Sequence, residues 1–156
     1  MEIPVYITVG EVQRVCGLLG IRDWTALGDA AVLAEEARAI MSAVNVEGME
    51  IDSESFRRGL EVELEHGVRF KDANVTNNHP LLTGKIVLAH LKETMDYYER
   101  LEVAELEGDL LKAVAAKNPP KVESLYKRLV AAKLDLARVE SGKLYGPDSH
   151  PGSAPA

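Results

Sequence analysis

Two short patterns of opposite order constrain this chain more than any other feature. Glu63-Leu64-Glu65-His66 places a carboxylate and an imidazole three residues apart, and His90-Leu91-Lys92-Glu93 repeats the pair reversed. On an α-helix each pair lies on one face, one turn apart. If the two helices pack antiparallel, Glu63 comes level with Glu93, and His66 with His90, around a single point. The surrounding periodicity turns these residues inward. Phe56, Gly59, Glu63, His66 and Phe70 recur at spacings of three and four, as do His90, Glu93, Tyr97, Leu101 and Ala104. That is the rhythm of a buried seam. Four polar groups are thus expected where core residues belong, flanked by Leu60, Leu64, Leu91 and Met95.

A buried carboxylate without a partner is costly, so such groups are paired, protonated or bound to metal. Two imidazoles and two carboxylates suit zinc, iron or manganese, and helix-borne Glu-x-x-His pairs build the sites of di-iron bundles. Glu63, His66, His90 and Glu93 are therefore the predicted ligands of one divalent metal ion. A full di-iron site needs more carboxylates, so a mononuclear centre is expected, a dinuclear one requiring Glu36 or a second subunit. Tyr97, one turn beyond Glu93, is a candidate hydrogen-bond partner for a ligand. A competing expectation uses the same residues without metal: a helical interaction module whose buried Glu and His form a hydrogen-bonded network. A single Glu-x-x-His is usually surface decoration; only the mirrored pair carries the metal reading. No reaction follows from it, so no enzymatic activity is assigned.

Composition narrows the remaining classes. With 156 residues, 46% hydrophobic and 5% aromatic, the chain suits one helical domain over 1–145. The net charge of -7 argues against a nucleic-acid binder, whose footprint would be basic. No run is long and apolar enough to span a membrane, and no leader pattern opens the chain, so a cytoplasmic protein is expected. Cys16 is the only cysteine, which leaves no intramolecular disulfide and no cysteine-based zinc site. It falls on an apolar stripe and reads as a core residue.

Helix signals then divide the chain. Thr8 with Glu11 forms a capping box opening a helix that Gly20 closes. Asp29 is placed to cap a helix over residues 30–44, with Glu36 at its margin as an extra ligand or, more simply, a solvated carboxylate. Asp52 or Ser53 caps the first central helix, about 55–66, stopped by Gly67. The connection over 69–82 is rich in turn formers, and its His79 is either a further ligand or a solvent-exposed histidine. Pro80 or Thr83 begins the second central helix, which continues through Leu101 toward Ala115. Asn118-Pro119 opens the last helix, ending near Ser141 before Gly142. Its Val122, Leu125, Leu129, Ala132, Leu136 and Val139 repeat suits plain packing or a homo-oligomer through the C-terminal helix. Residues 146–156 read as a disordered tail. The expected architecture is all-α, a single-domain bundle of about five helices around an antiparallel central pair.

The run from Phe56 to Gly67, the loop Asn74-Val-Thr-Asn77, the stretch Leu82 to Glu93 and the following Asp96-Tyr-Tyr98 stand in order. Together they resemble the core, residues 53–103, of a small prokaryotic helical domain family of unknown function. The resemblance implies that Glu63, His66, His90 and Glu93 belong to a shared site. It also implies an acidic residue where His79 stands and a proline where Met95 stands, so the second helix is expected to be straighter here. By this resemblance the N-terminal helices and the final helix lie outside the family core.

Overall fold

The computed structural model describes residues 5–146, so the expected tail lies, from residue 147 on, outside the described residues. Among the described residues there are six α-helices and no strands. They fall into two compact units, Met1–Glu93 and Thr94–Ala156.

The first unit holds α1 (Val9–Leu19), α2 (Ala34–Val44), α3 (Ser53–Arg69) and α4 (Pro80–Glu93). α1 starts as its sequence predicts, with the Glu11 N–H donating to Thr8 Oγ1 at 3.2 Å and Gly20 closing it in the left-handed region. Its buried face is Val12, Val15 and Cys16. Trp24, in a short 3-10 turn (Trp24–Ala26), is fully buried. α2 begins four residues later than expected. Asp29 caps only a turn, accepting from the Ala31 N–H at 3.0 Å, while the Glu36 carboxylate accepts from the Leu33 N–H that starts the helix. α2, α3 and α4 pack on one another. The approach of α4 to α2 is close, because a Cβ on Gly84 would stand 2.6 Å from Ile40 Cγ2.

Asp52 caps α3 through the Ser55 N–H at 2.8 Å. The helix runs through Gly67 to Arg69 instead of stopping. Gly67 serves packing rather than termination: Asn74 and Asn78 of the following loop lie against it. Asn74 Nδ2 donates to the Gly67 carbonyl at 3.1 Å and to Asn78 Oδ1 at 2.8 Å. Asn78 Nδ2 reaches the Trp24 carbonyl at 3.3 Å, and Asn77 Nδ2 the Ile7 carbonyl at 2.6 Å. Asn77 and Asn78 both take positive φ, 48° and 60°, a conformation asparagine tolerates better than most residues.

The second unit is a helical hairpin of α5 (Tyr97–Ala115) and α6 (Pro119–Tyr145). The expected continuous helix from Pro80 onward is broken over 94–96 despite the absence of proline there. Asp96 is fully buried, and its carboxylate accepts from the Thr94 hydroxyl, Arg100 at 2.8 Å and Lys143 at 2.9 Å. Burial alone would raise the Asp96 pKa, but these donors hold it well below the ordinary carboxylate range. At the other end the Asn118 N–H donates to the Ala113 carbonyl and Lys117 takes φ 52°, a Schellman stop. Asn118 then caps α6, accepting from the Lys121 N–H at 3.2 Å. Arg100 reaches Glu140 and Glu107 reaches Lys133. Moving back along α5 therefore moves forward along α6, and the pair is antiparallel. Leu106 and Ala113 pack with Leu125, Leu129 and Ala132. The heptad of the last helix thus finds a partner within its own chain. α6 passes Gly142 and ends at Tyr145, where Gly146 takes φ 89°.

Three substitutions test these accounts. A Cβ at Gly67 would fall 2.0 Å from Asn78 Oδ1, so Gly67→Ala is expected to destabilise by about 1–3 kcal/mol in denaturant unfolding. Gly17→Ala, in α1 with open space around it, should instead be neutral or stabilising by up to about 1 kcal/mol. Lys117→Gly relieves a left-handed residue and should raise stability by roughly 0.5–1 kcal/mol; an unchanged or lowered midpoint would refute strain at this turn.

Candidate functional site

Within the first unit, Glu63 on α3 and His90 in the last turn of α4 meet, with Oε1 and Nε2 3.4 Å apart. Both side chains are largely buried, 14% and 27% exposed respectively. The contact joins residues that the expected register had set one turn apart, Glu63 opposite Glu93 and His90 opposite His66. His66 and Glu93 are exposed. Among the described residues no group of three or more His, Cys, Asp or Glu side chains stands where it could hold a metal ion. Tyr97 opens α5 in the other unit.

The expected buried seam is corrected by the burial pattern. α3 buries Phe56, Gly59, Leu60 and Leu64, whereas Phe70 is 47% exposed, under the Arg69 guanidinium. α4 buries Thr83, Gly84, Val87, Leu88 and Leu91. Fully burying a leucine is worth roughly 1.5–3 kcal/mol, while burying an ionisable group costs energy. The leucines therefore take the centre of each stripe instead of its flanks. Glu63 and His90 fall on the margins, and His66 and Glu93 turn to solvent.

The two extra ligands weighed from the sequence have other partners. Glu36 is 1% exposed and so is not a solvated residue. Arg22 grips it through two guanidinium contacts of 2.9 and 2.7 Å, and the backbone N–H groups of Arg22 and Leu33 add 3.1 and 3.0 Å bonds. Burial pushes its pKa up, but these four donors outweigh that and leave it lowered. Arg22 lies in a connector with no periodic signal, so the ion pair was invisible in the sequence. His79, expected in solvent if not a ligand, is 7% exposed. Its Nδ1 accepts from the Leu82 N–H at 3.4 Å, at the start of α4. A cavity of about 190 Å³ is lined by Gly67, Lys71 and the loop residues Asn74, Asn77 and Asn78. The amides of Asn77 and Asn78 are already committed to backbone carbonyls.

Residues 12–107 match the family described as Protein of unknown function (DUF5661). The chain belongs to this family. The DUF5661 match is wider than the resembling core, since it takes in most of α1, all of α2 to α4 and the first half of α5. The N-terminal helices are therefore part of the family, contrary to expectation, and α6 is not. No curated protein and no solved structure matches the chain.

The buried His79 gives a pH test. Burial, the largest influence, lowers its pKa below the ordinary 6.5, with a smaller opposing pull from Glu11. The unfolded chain takes up the proton first, so the contribution to stability is complete above about pH 6.5 and is lost as pH falls toward the folded value. His79→Asn should flatten unfolding free energy between about pH 7 and 5 relative to the parent. Identical slopes in the two proteins would show that His79 titrates as freely folded as unfolded.

Proposed function

We propose that Glu63 and His90 are the nucleus of a divalent-metal site, with His66 and Glu93 as the remaining protein ligands. On this reading α3 and α4 form the antiparallel central pair, and the metal is zinc, iron or manganese. The observation that carries it is the 3.4 Å separation of Glu63 Oε1 and His90 Nε2. Two donors bound to one tetrahedral zinc at about 2.0–2.1 Å stand roughly 3.3–3.4 Å apart. A hydrogen bond of the same pair would ordinarily close to about 2.7–3.2 Å. The residue types fit as well, since imidazole and carboxylate are both ligands of these metals. His66 and Glu93 lie one turn from the pair on their own helices, and their exposure leaves their rotamers free to change. A bound ion would supply Lewis acidity at the α3–α4 margin; the chain's own residues would orient it. A single buried cysteine suits a reducing cytoplasm.

A second reading is favoured by one observation: only two of the four groups meet among the described residues. Glu63 and His90 would then be a polar pair fixing the contact of α3 with α4 in a metal-free helical interaction module.

Elemental analysis of the full chain, purified without a histidine tag, separates the two. The metal reading predicts stoichiometric zinc, iron or manganese, and a melting temperature lowered by chelator and restored by the ion. Glu63→Gln and His90→Ala should each abolish most of the chelator effect, and the double variant should add little, since both remove one shared site. Affinity should weaken on acidification, because both ligand types must be deprotonated to bind. A folded, metal-free protein with a chelator-insensitive melt after reconstitution would establish the metal-free pair instead.

A further inference from the structure

The two helices of the hairpin carry opposite charge, and one flank of the hairpin is apolar and exposed. α5 has five acidic and two basic residues, and α6 six basic and three acidic. The Glu107–Lys133 ion pair, 2.7 Å, bridges the helices beside their apolar seam and marks one flank. One heptad toward the turn from Glu107 stands Val114, and one heptad toward the turn from Lys133 stands Tyr126. These two are therefore level across the same flank. Leu111 precedes Val114 by three and Val130 follows Tyr126 by four, so both continue that flank outward. All four are more than half exposed: Leu111 71%, Val114 55%, Tyr126 59% and Val130 52%. Scattered apolar surface residues need no explanation, but four neighbours on one flank mark an interaction surface.

We propose that this flank is the interface of a homodimer, in which a second copy lays its own hairpin against it to form a four-helix bundle. A two-fold axis parallel to the helices sets α5 of one copy over α6 of the other, antiparallel, with the level of the patch preserved. Val114 and Leu111 then face the copy's Tyr126 and Val130, and each acidic helix lies on a basic one. A two-fold axis across the helices would instead stack α5 on α5 and α6 on α6, placing like charges together. The second copy is the fitting occupant because a single self-complementary surface supplies both requirements: apolar residues at the same level and the opposite sign for each helix. This inference is independent of the metal site.

Sedimentation equilibrium of the full chain tests it, with a mass of twice the chain expected. Val130→Glu should give the monomer mass with an unchanged helical circular-dichroism spectrum. A monomeric parent at all concentrations would overturn the proposal, as would a dimer that Val130→Glu leaves intact. A monomer that gains mass only with a different helical protein would assign the flank to that partner and overturn the homodimer. Orientation is read by oxidation in a Cys16→Ala background. Val114→Cys chains mixed with Tyr126→Cys chains should cross-link at least tenfold more than Val114→Cys chains alone. The reverse preference would overturn the stacking of α5 on α6.

Discussion

The close seating of Asn78 on Gly67 is the constraint on which the first unit depends. The chain leaves α3 and must turn back within ten residues to lay α4 on α2 and α3. It does so through a loop whose asparagine amides replace the backbone partners that regular structure would provide. Asn74 and Asn78 hydrogen-bond to each other and to the backbone of Gly67 and Trp24. His79 then takes the first turn of α4. Any side chain on Gly67 would lift this network off the helix. Where α4 starts decides where His90 lies, so the Glu63–His90 contact inherits its geometry from a loop rather than from the helices that bear it.

Buried carboxylates follow one rule in both units. Glu36 and Asp96 are almost completely removed from water, and each is held by at least three donors. Leaving such a group buried without them would cost several kcal/mol in rough terms. Each also marks a structural transition. Glu36 holds the connector at Arg22 to the first turn of α2, and Asp96 sits at the break between α4 and α5. The break is made by a polar cluster and not by proline. Proline would only remove a donor and fix φ; the Asp96 cluster ties the entry of α5 to Arg100 and to Lys143 near the end of α6.

Helical periodicity singled out Glu63 and His90 but set them one turn apart and misjudged their depth. Spacings of three and four fit more than one stripe on a helix, because neighbouring stripes differ by only a residue. Glu63 and His66 share one such stripe, and Leu60 and Leu64 share the next. Only the packing of α2, α3 and α4 chose between them, and it favoured the leucines. The same choice left the Glu63–His90 pair at the margin, partly shielded from water.

Local signals were sufficient wherever the responsible groups lie within a few residues of one another. Thr8, Gly20, Asp52 and Asn118 cap or stop helices as the sequence indicates, because caps act across three or four residues. The all-helical class and the apolar heptad of α6 were legible for the same reason. The sequence could not say that Gly67 lies inside a helix or that His79 is buried. Nor could it show that Arg22 finds Glu36, or which of two adjacent stripes on α3 faces inward. Each of those outcomes depends on groups distant in the chain competing for the same space and the same hydrogen bonds, and only the folded arrangement decides such a competition.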